Sequence, residues 1–323
     1  MSLEIIPITG IGDVTAGDDL AELITKAAPW LADDDVLVVT SKIVSKAEGR
    51  LVEVPADGPE REEARQRVLA SETARVVARR GPTTIVQTHH GFVMAAAGID
   101  ASNVDKTHLV LLPADPDASA RKIRDDLRKR GLDVAIVVSD TMGRAWRNGL
   151  TDVALGAAGI EAFRDHRGEI DPYGNELTLT QMAVIDELAA AAELVKGKSD
   201  RVPVAVVRGL PRTGAGSGAR ELVRDTAGDM FSLGTAEARA AGLRDAALLA
   251  TTPDDEAAVR RVLALDAANT GTLRLTPAGP APADLIRLGA EAHRVRAVLA
   301  ATGLTSTADA DDEGVTITVG GPA

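Results

Sequence analysis

The sequence predicts a protein of mixed helices and strands, with parallel neighbours in its first part and a small appended α/β module from about residue 229. Three observations lead there. Apolar, β-branched runs recur at Asp35–Thr40, Val134–Val138 and Pro203–Val207, and each gives way to a cluster of polar residues. A helix signal at Asp115-Pro116 lies between the apolar run Leu109–Leu112 and the strand Leu132–Asp140, which is β-α-β spacing. From about Asp229 the composition shifts to alanine-rich helical segments.

Taken in order, residues 3 to 8 read as a short strand followed by Thr9-Gly10-Ile11-Gly12-Asp13. Gly17-Asp18-Asp19 opens a helix with an aspartate N-cap and Leu20, Leu23, Ile24 and Ala27 on one face. The strand Asp35–Thr40 leads into a polar turn, Ser41–Arg50, whose Lys42 and Lys46 either hold phosphates or form a solvated pair. Pro59–Arg80 reads as a charged surface helix, and Thr83–Gln87 as a strand. His89-His90 lacks further ligands at metal spacing and is assigned no metal. The apolar segment after Gly91 ends in a small-residue turn carrying Asp100 and Asn103.

The helix begun at Asp115-Pro116 is expected to reach about Arg130 and to stop at Gly131. The strand that follows delivers Ser139, Asp140, Thr141, Gly143, Arg144, Trp146, Arg147, Asn148 and Gly149 into one loop. Phe163–Glu176 is polar and turn-rich. Thr178 and Gln181 form a capping-box pair before a helix to Lys196, with its stripe at Met182, Ile185, Leu188 or Ala189, Ala192 and Val195. Asp186 and Glu187 on that helix suit either ligand or solvated-face roles. The loop Arg208–Gly218 carries four glycines within ten residues together with Arg208 and Arg212, and it reads as an anion-binding nest or as a flexible linker. It is neither a Walker A motif nor a GxGxxG fingerprint. The appended module contains helices near Asp254–Leu265 and Pro282–Ala301, strands Thr272–Thr276 and Val315–Val319, and an acidic run Asp309–Glu313.

Composition bounds the function. The 323 residues are 45% hydrophobic but only 2% aromatic, so Val, Leu, Ile and Ala must fill the core. No cysteine is present, which excludes disulfides, thiolate metal sites and thiol catalysis. No long apolar run suggests a membrane span, and the first ten residues lack a signal-peptide layout, so a cytosolic (cytoplasmic) enzyme is expected. The net charge of −12 disfavours nucleic acid as a partner. An anionic substrate would then need bound cations and convergent Lys and Arg side chains. Four polar strand ends meet that need if they share one rim: Ser41–Lys46, Asp100–Asn103, Asp140–Arg147 and Arg208–Gly218. Their oxygens suit Mg²⁺ or Mn²⁺ and their cations suit phosphate, which points to a metal-dependent nucleotide or phosphate enzyme.

The strings SKIVSKAEGR, AGIDASNV, SDTMGRAWRNGLTDVALGAAGI and DELAAAAELVKGK followed by PVAVVRGL occur in this order. Together they resemble the coenzyme F-420:L-glutamate ligases, the gamma-glutamyl ligases of deazaflavin biosynthesis, over roughly residues 1 to 220. The resemblance implies an α+β fold of mixed sheets with packed helices, forming a homodimer. It implies a GTP-dependent amide ligase that uses Mn²⁺ or Mg²⁺ with help from K⁺ and adds L-glutamate to coenzyme F-420-0. Asp100, Asp140 and Thr141 then correspond to metal ligands. Nucleotide positions correspond to Ile11, Gly12, Asp13 and Val14, to Ser41, Lys42, Lys46 and Asn103, and to Gly209, Leu210, Pro211, Arg212, Thr213, Gly214, Ala215 and Gly216. Asp100, Asp140, Lys46 and Arg144 are the catalytic candidates, while Arg144 and Arg147 also suit acceptor contacts or structural ion pairs.

The implied chemistry passes through an acyl phosphate, which needs positioning and charge neutralisation more than a protein nucleophile. Relatives often carry asparagine where this chain has Ala96. Some are fused to a flavin-binding nitroreductase-like domain; the segment from 229 to 323 is too short and too poor in aromatics for one, so no flavin is expected. Two other readings are a GTP-dependent amide ligase with a different acceptor and a non-catalytic nucleotide-binding protein.

Overall fold

A computed structural model describes residues 2–102, 104–197, 200–212, 214–247 and 271–322. The chain divides into two compact units, Met1–Asp229 and Met230–Ala323. The fold is α+β, with seven α-helices among the described residues.

The first unit is built on a five-stranded sheet of β1 (Glu4–Ile8), β2 (Val36–Thr40), β8 (Ala135–Arg144), β9 (Arg147–Ala158) and β12 (Val204–Arg208), in the order β1-β12-β2-β8-β9. Only β2 and β8 are parallel neighbours, in register from Val36↔Ala135 to Thr40↔Ser139; the other pairs are antiparallel. The parallel partner of β8 is therefore β2. The run just before the helix, β7 (His108–Val110), pairs instead with β3 (Leu51–Glu53).

Both faces of the sheet are covered, and for this reason its strands read as unbroken apolar runs. Leu37, Val39, Ile136, Val138, Val204 and Val206 pack on α1 (Leu20–Ala27) and α4 (Pro116–Arg128). The alternate residues Val36, Val38, Val137, Ala205 and Val207 pack on Ile185, Leu188, Ala189 and Ala192 of α5 (Val184–Lys196). Each fully buried Val, Leu or Ile side chain among these stabilises the fold by roughly 1.5–3 kcal/mol. The expected caps are present: Asp19 accepts from Glu22 N at 3.0 Å, and Asp115 from Ala118 N at 2.9 Å. Small residues in β9 have a packing reason, since a Cβ at Gly156 would overlap the Pro116 carbonyl at the start of α4.

Four local expectations change. The polar turn after β2 is a short helix, α2 (Ser41–Ala47), which buries Ile43 and Val44 and ends near Gly49 at φ 70°. The charged helix is α3 (Gly58–Ser71), largely solvent-facing, and it stops well before Arg80. Thr73–Arg80 is strand β4, whose β-branched Thr73, Val76 and Val77 suit its antiparallel pairing with β5 (Thr83–Thr88); β6 (Val93–Ala95) completes that sheet. The capping box is absent: Gln181-Met182 forms β11 against β10 (Arg164–Asp165), Gln181 donates to Asp165, and α5 starts only at Val184. Finally, β8 does not end at Asp140 but runs on to Arg144, because β9 continues to satisfy its backbone past the end of β2.

The second unit contains α6 (Thr235–Ala247), β13 (Thr272–Leu275), α7 (Pro282–Ala301), β14 (Leu304–Asp311) and β15 (Gly314–Pro322). Its antiparallel sheet, in the order β13-β15-β14, packs Ile317 and Leu304 against Val295, Val298 and Leu299 of α7. β14 is a strand the sequence reading missed, since its polar alternation (LTSTADAD) leaves nearly every residue exposed. The helix expected near Asp254–Leu265 lies outside the described residues, as do Asn103 and Thr213. Among the described residues no helix is long and apolar enough to cross a membrane.

Candidate active site

Strands β1, β2 and β8 run in one direction, so their C-terminal ends reach the same edge of the sheet. A cavity of about 920 Å³ lies there. After β1 the chain forms one wall with Thr9–Ala16, in which Gly10 and Gly12 take positive φ (85° and 29°), a conformation glycine adopts without a Cβ clash. After β2 it becomes α2, and the spacing of four residues places Lys42 and Lys46 on one helix face, both lining the cavity. After Ser139 the strand continues, with Asp140 opposite Val153 and Thr141 opposite Asp152; Asp140, Thr141 and Asp152 all line the cavity.

Asp100 arrives from a different element. Its backbone bridges Val110 in both directions (3.0 and 2.8 Å), and its carboxylate accepts Lys42 Nζ at 2.6 Å. Ser102 donates to the same carboxylate through its backbone N–H at 2.7 Å and its hydroxyl at 2.9 Å. Burial pushes the Asp100 carboxyl up, but Lys42 and Ser102 more than offset it and leave it below the ordinary range. Asp140 is different. Burial and the nearby Asp152 and Asp100 charges push it up to about 6, against hydrogen bonds from Thr141 N and the Ser41 side chain. At Asp152 burial again raises, yet Lys196, Thr141 and Ser139 bring the carboxyl below its usual value.

This donor set fits a hard divalent cation. A half-buried carboxylate that two neighbouring carboxylates push toward protonation is relieved by a bound cation. Among the described residues no group of three or more His, Cys, Asp or Glu is arranged to hold a metal alone. Two carboxylates and a hydroxyl form a partial shell of the kind Mg²⁺ and Mn²⁺ complete with water and substrate phosphate oxygens. Asp100, Asp140 and Thr141 would supply the protein's share.

The expected site residues do not all converge. Ile11, Gly12, Asp13, Val14, Lys42, Lys46, Asp100, Asp140 and Thr141 line the one cavity, with Ser41 buried behind Asp140. Gly209, Leu210, Pro211, Gly214, Ala215 and Gly216 leave from the other end of the sheet, because β12 is antiparallel to β2 and enters rather than exits at the cavity edge. Thr40 and Val36 are separated by about 13 Å of strand. The two arginines of that loop are engaged as well: Arg208 forks onto Asp35 at 2.7 and 2.6 Å, and Arg212 pairs with Asp34 and Asp133. Arg144 and Arg147 sit on the exposed tip of the β8–β9 hairpin, where Arg144 donates to Asn148 O at 3.2 Å. The expectation of four loops on one rim therefore fails at β12.

Asp152 and Lys196 are among the cavity residues that the sequence did not single out. The signal for Lys196 was present, since it continues the buried stripe Ile185, Ala189, Ala192 of α5, where a lysine is out of place unless paired. Asp152 had no comparable mark.

Residues 10–209 match the family model described as F420-0:Gamma-glutamyl ligase. The chain belongs to this family. It is 38% identical over 250 residues to the coenzyme F420:L-glutamate ligase of Methanothermobacter thermautotrophicus, covering 72% of this chain and 99% of that protein. The protein of the same name from Methanopyrus kandleri is 40% identical (71% and 98% covered), and that from Haloarcula marismortui 41% (71% and 95%). Membership makes the protein an amide-forming ligase. The F420-0:gamma-glutamyl ligase match contains the cavity residues from Gly10 to Pro203 and ends before the second unit begins.

Proposed function

We propose that the protein adds L-glutamate to coenzyme F-420-0 through γ-glutamyl amide bonds, using GTP and a divalent cation. What carries the reading is one cavity whose wall joins two lysines on a single helix face to the oxygen set Asp100, Asp140 and Thr141, in a chain of this ligase family. In this reading Lys42, Lys46 and the turn Ile11–Val14 hold the phosphates, as point charges and backbone donors. Bound Mn²⁺ or Mg²⁺ supplies neutralisation of phosphate charge. An oxygen of the acceptor carboxylate attacks the γ-phosphorus and GDP leaves, giving an acyl phosphate. The glutamate amine then attacks the acyl carbon, losing a proton, and inorganic phosphate leaves. Both steps gain chiefly from alignment inside the cavity.

The loop Gly209–Gly216 leaves the opposite end of the sheet, so in this reading it serves the nucleotide of a second copy in a homodimer. The test is incubation of the purified protein with GTP, Mn²⁺, L-glutamate and coenzyme F-420-0, with and without K⁺, followed by product mass and GDP release. Glutamate-sized mass increments matched by GDP support the proposal. GDP release only with another acceptor, or tight GTP binding without turnover, overturns it.

A further inference from the structure

Lys196, in the last turn of α5, is 2% exposed, and its ammonium meets three oxygens: Ser139 Oγ at 2.9 Å, Asp152 Oδ2 at 3.0 Å and Glu193 Oε2 at 3.5 Å. Asp152 is itself 3% exposed. Burying such a pair seldom stabilises a fold more than apolar side chains of the same size would. Its placement suggests another role. While Oδ2 of Asp152 takes Lys196 and Ser139, Oδ1 accepts the Thr141 hydroxyl at 2.7 Å. An ionised carboxylate only accepts, so the single hydroxyl proton of Thr141 is committed to Asp152. The lone pairs of that oxygen are then directed away from Asp152, on a residue that lines the cavity. A hydroxyl free to rotate would present its proton as readily as its lone pairs, and only the latter suit a cation.

We propose that Asp152 and Lys196 are positioning residues for the divalent cation, fixing Thr141 as an oxygen ligand. Lys196 anchors the Asp152 carboxylate and offsets part of its charge, while Asp100 and Asp140 serve as the anionic ligands. The inference rests on the reading in which Asp100, Asp140 and Thr141 hold the ion.

The experiment is an equilibrium titration of the full chain with Mn²⁺ alone, following free Mn²⁺ by electron paramagnetic resonance, alongside thermal unfolding of the metal-free protein. Asp140→Asn is expected to weaken Mn²⁺ binding at least tenfold; unchanged binding in that variant overturns the metal reading itself. Replacing the pair together, Asp152→Leu with Lys196→Met, leaves no buried charge. It is expected to lower affinity about tenfold, as removal of groups behind metal ligands generally does, without lowering the unfolding midpoint. Thr141→Val should cost a similar factor, and adding it to the pair variant should cost nothing more, because the pair acts through Thr141. Normal Mn²⁺ affinity in the pair variant, or losses that simply multiply, overturns the proposal while a weakened Asp140→Asn leaves the metal reading standing. If the pair variant does not fold, Asp152→Asn is titrated instead, and unchanged affinity there overturns the proposal equally.

Discussion

The two ends of the central sheet carry similar residues wired in opposite ways. At the end where β2 and β8 begin, guanidiniums lock aspartates in place. Arg208 forks onto the buried Asp35 and lies 5.4 Å over the Trp30 ring, and Asp133 gathers Arg124 at 2.8 Å, Arg128 at 3.2 Å and Arg212. Burial raises the Asp133 carboxyl, but Arg212, Arg124 and Arg128 outweigh it and hold the group below its usual range. At the end where β2 and β8 finish, Asp100, Asp140 and Asp152 stand near one another with lysines as the cations, and Asp140 rises to about 6. A planar fork saturates a carboxylate and removes it from chemistry, whereas repelling carboxylates store a demand for a cation. The guanidinium–aspartate pairs of the first end are scaffold; in the proposed reading the second end draws in the cation and the phosphates.

That contrast breaks most sharply at Asp140. Asp140→Ala is expected to reduce ligase turnover by at least a thousandfold, a loss of about 4 kcal/mol in transition-state stabilisation, while circular dichroism stays unchanged. Residual turnover within tenfold of the unaltered protein would remove this carboxylate from the metal site. Next in size, Arg208→Ala should lower unfolding free energy by roughly 3 kcal/mol in urea titrations, since it strands the buried Asp35. Its affinity for GTP should stay near normal. Lys46→Ala should do the reverse, weakening GTP binding at least tenfold with little change in stability. An Arg208 variant defective in nucleotide binding at normal stability would erase the distinction between the two ends.

A third test uses pH in the metal-free protein. Because the folded carboxyl of Asp140 titrates near 6 and its ordinary value is 3.8, its ionisation opposes folding. The penalty is absent below about pH 4, grows between the two values and is complete above pH 6. Asp140→Asn should therefore raise stability by roughly 1–3 kcal/mol at pH 7.5 and by almost nothing at pH 4, read from unfolding midpoints at both. A gain of equal size at both pH values would place its cause outside this ionisation. The smallest expected effect lies at Ala96, which holds φ 49° just ahead of the Asp100 turn. Asparagine adopts that left-handed conformation more readily than alanine. Ala96→Asn should thus stabilise by about 0.5–1 kcal/mol, seen as a rise of a few degrees in Tm, with unchanged GTP affinity.

Some of this was legible in the residues alone. Unbroken β-branched runs identified β2, β8 and β12 because both faces of their sheet are covered, and Asp115-Pro116 marked the start of α4 to the residue. Local chemistry also made Lys42, Lys46, Asp100, Asp140 and Thr141 candidates before any contact was known, and the structure brings all five to one cavity. Local chemistry misled where pairing overrode it: Gln181 as a cap, Thr73–Arg80 as helix, and the chain after Ser139 as loop.

By itself, then, the sequence determined the elements whose burial pattern is periodic and the residue types a phosphate and metal site requires. Only the tertiary structure decided which strand ends share an edge, because strand direction is set by pairing between distant segments and leaves no local trace. It sent the glycine loop after Arg208 away from the cavity and turned Arg208 and Arg212 into scaffold. It also drew Asp152 and Lys196, 44 positions apart in the chain, into one buried pair behind Thr141.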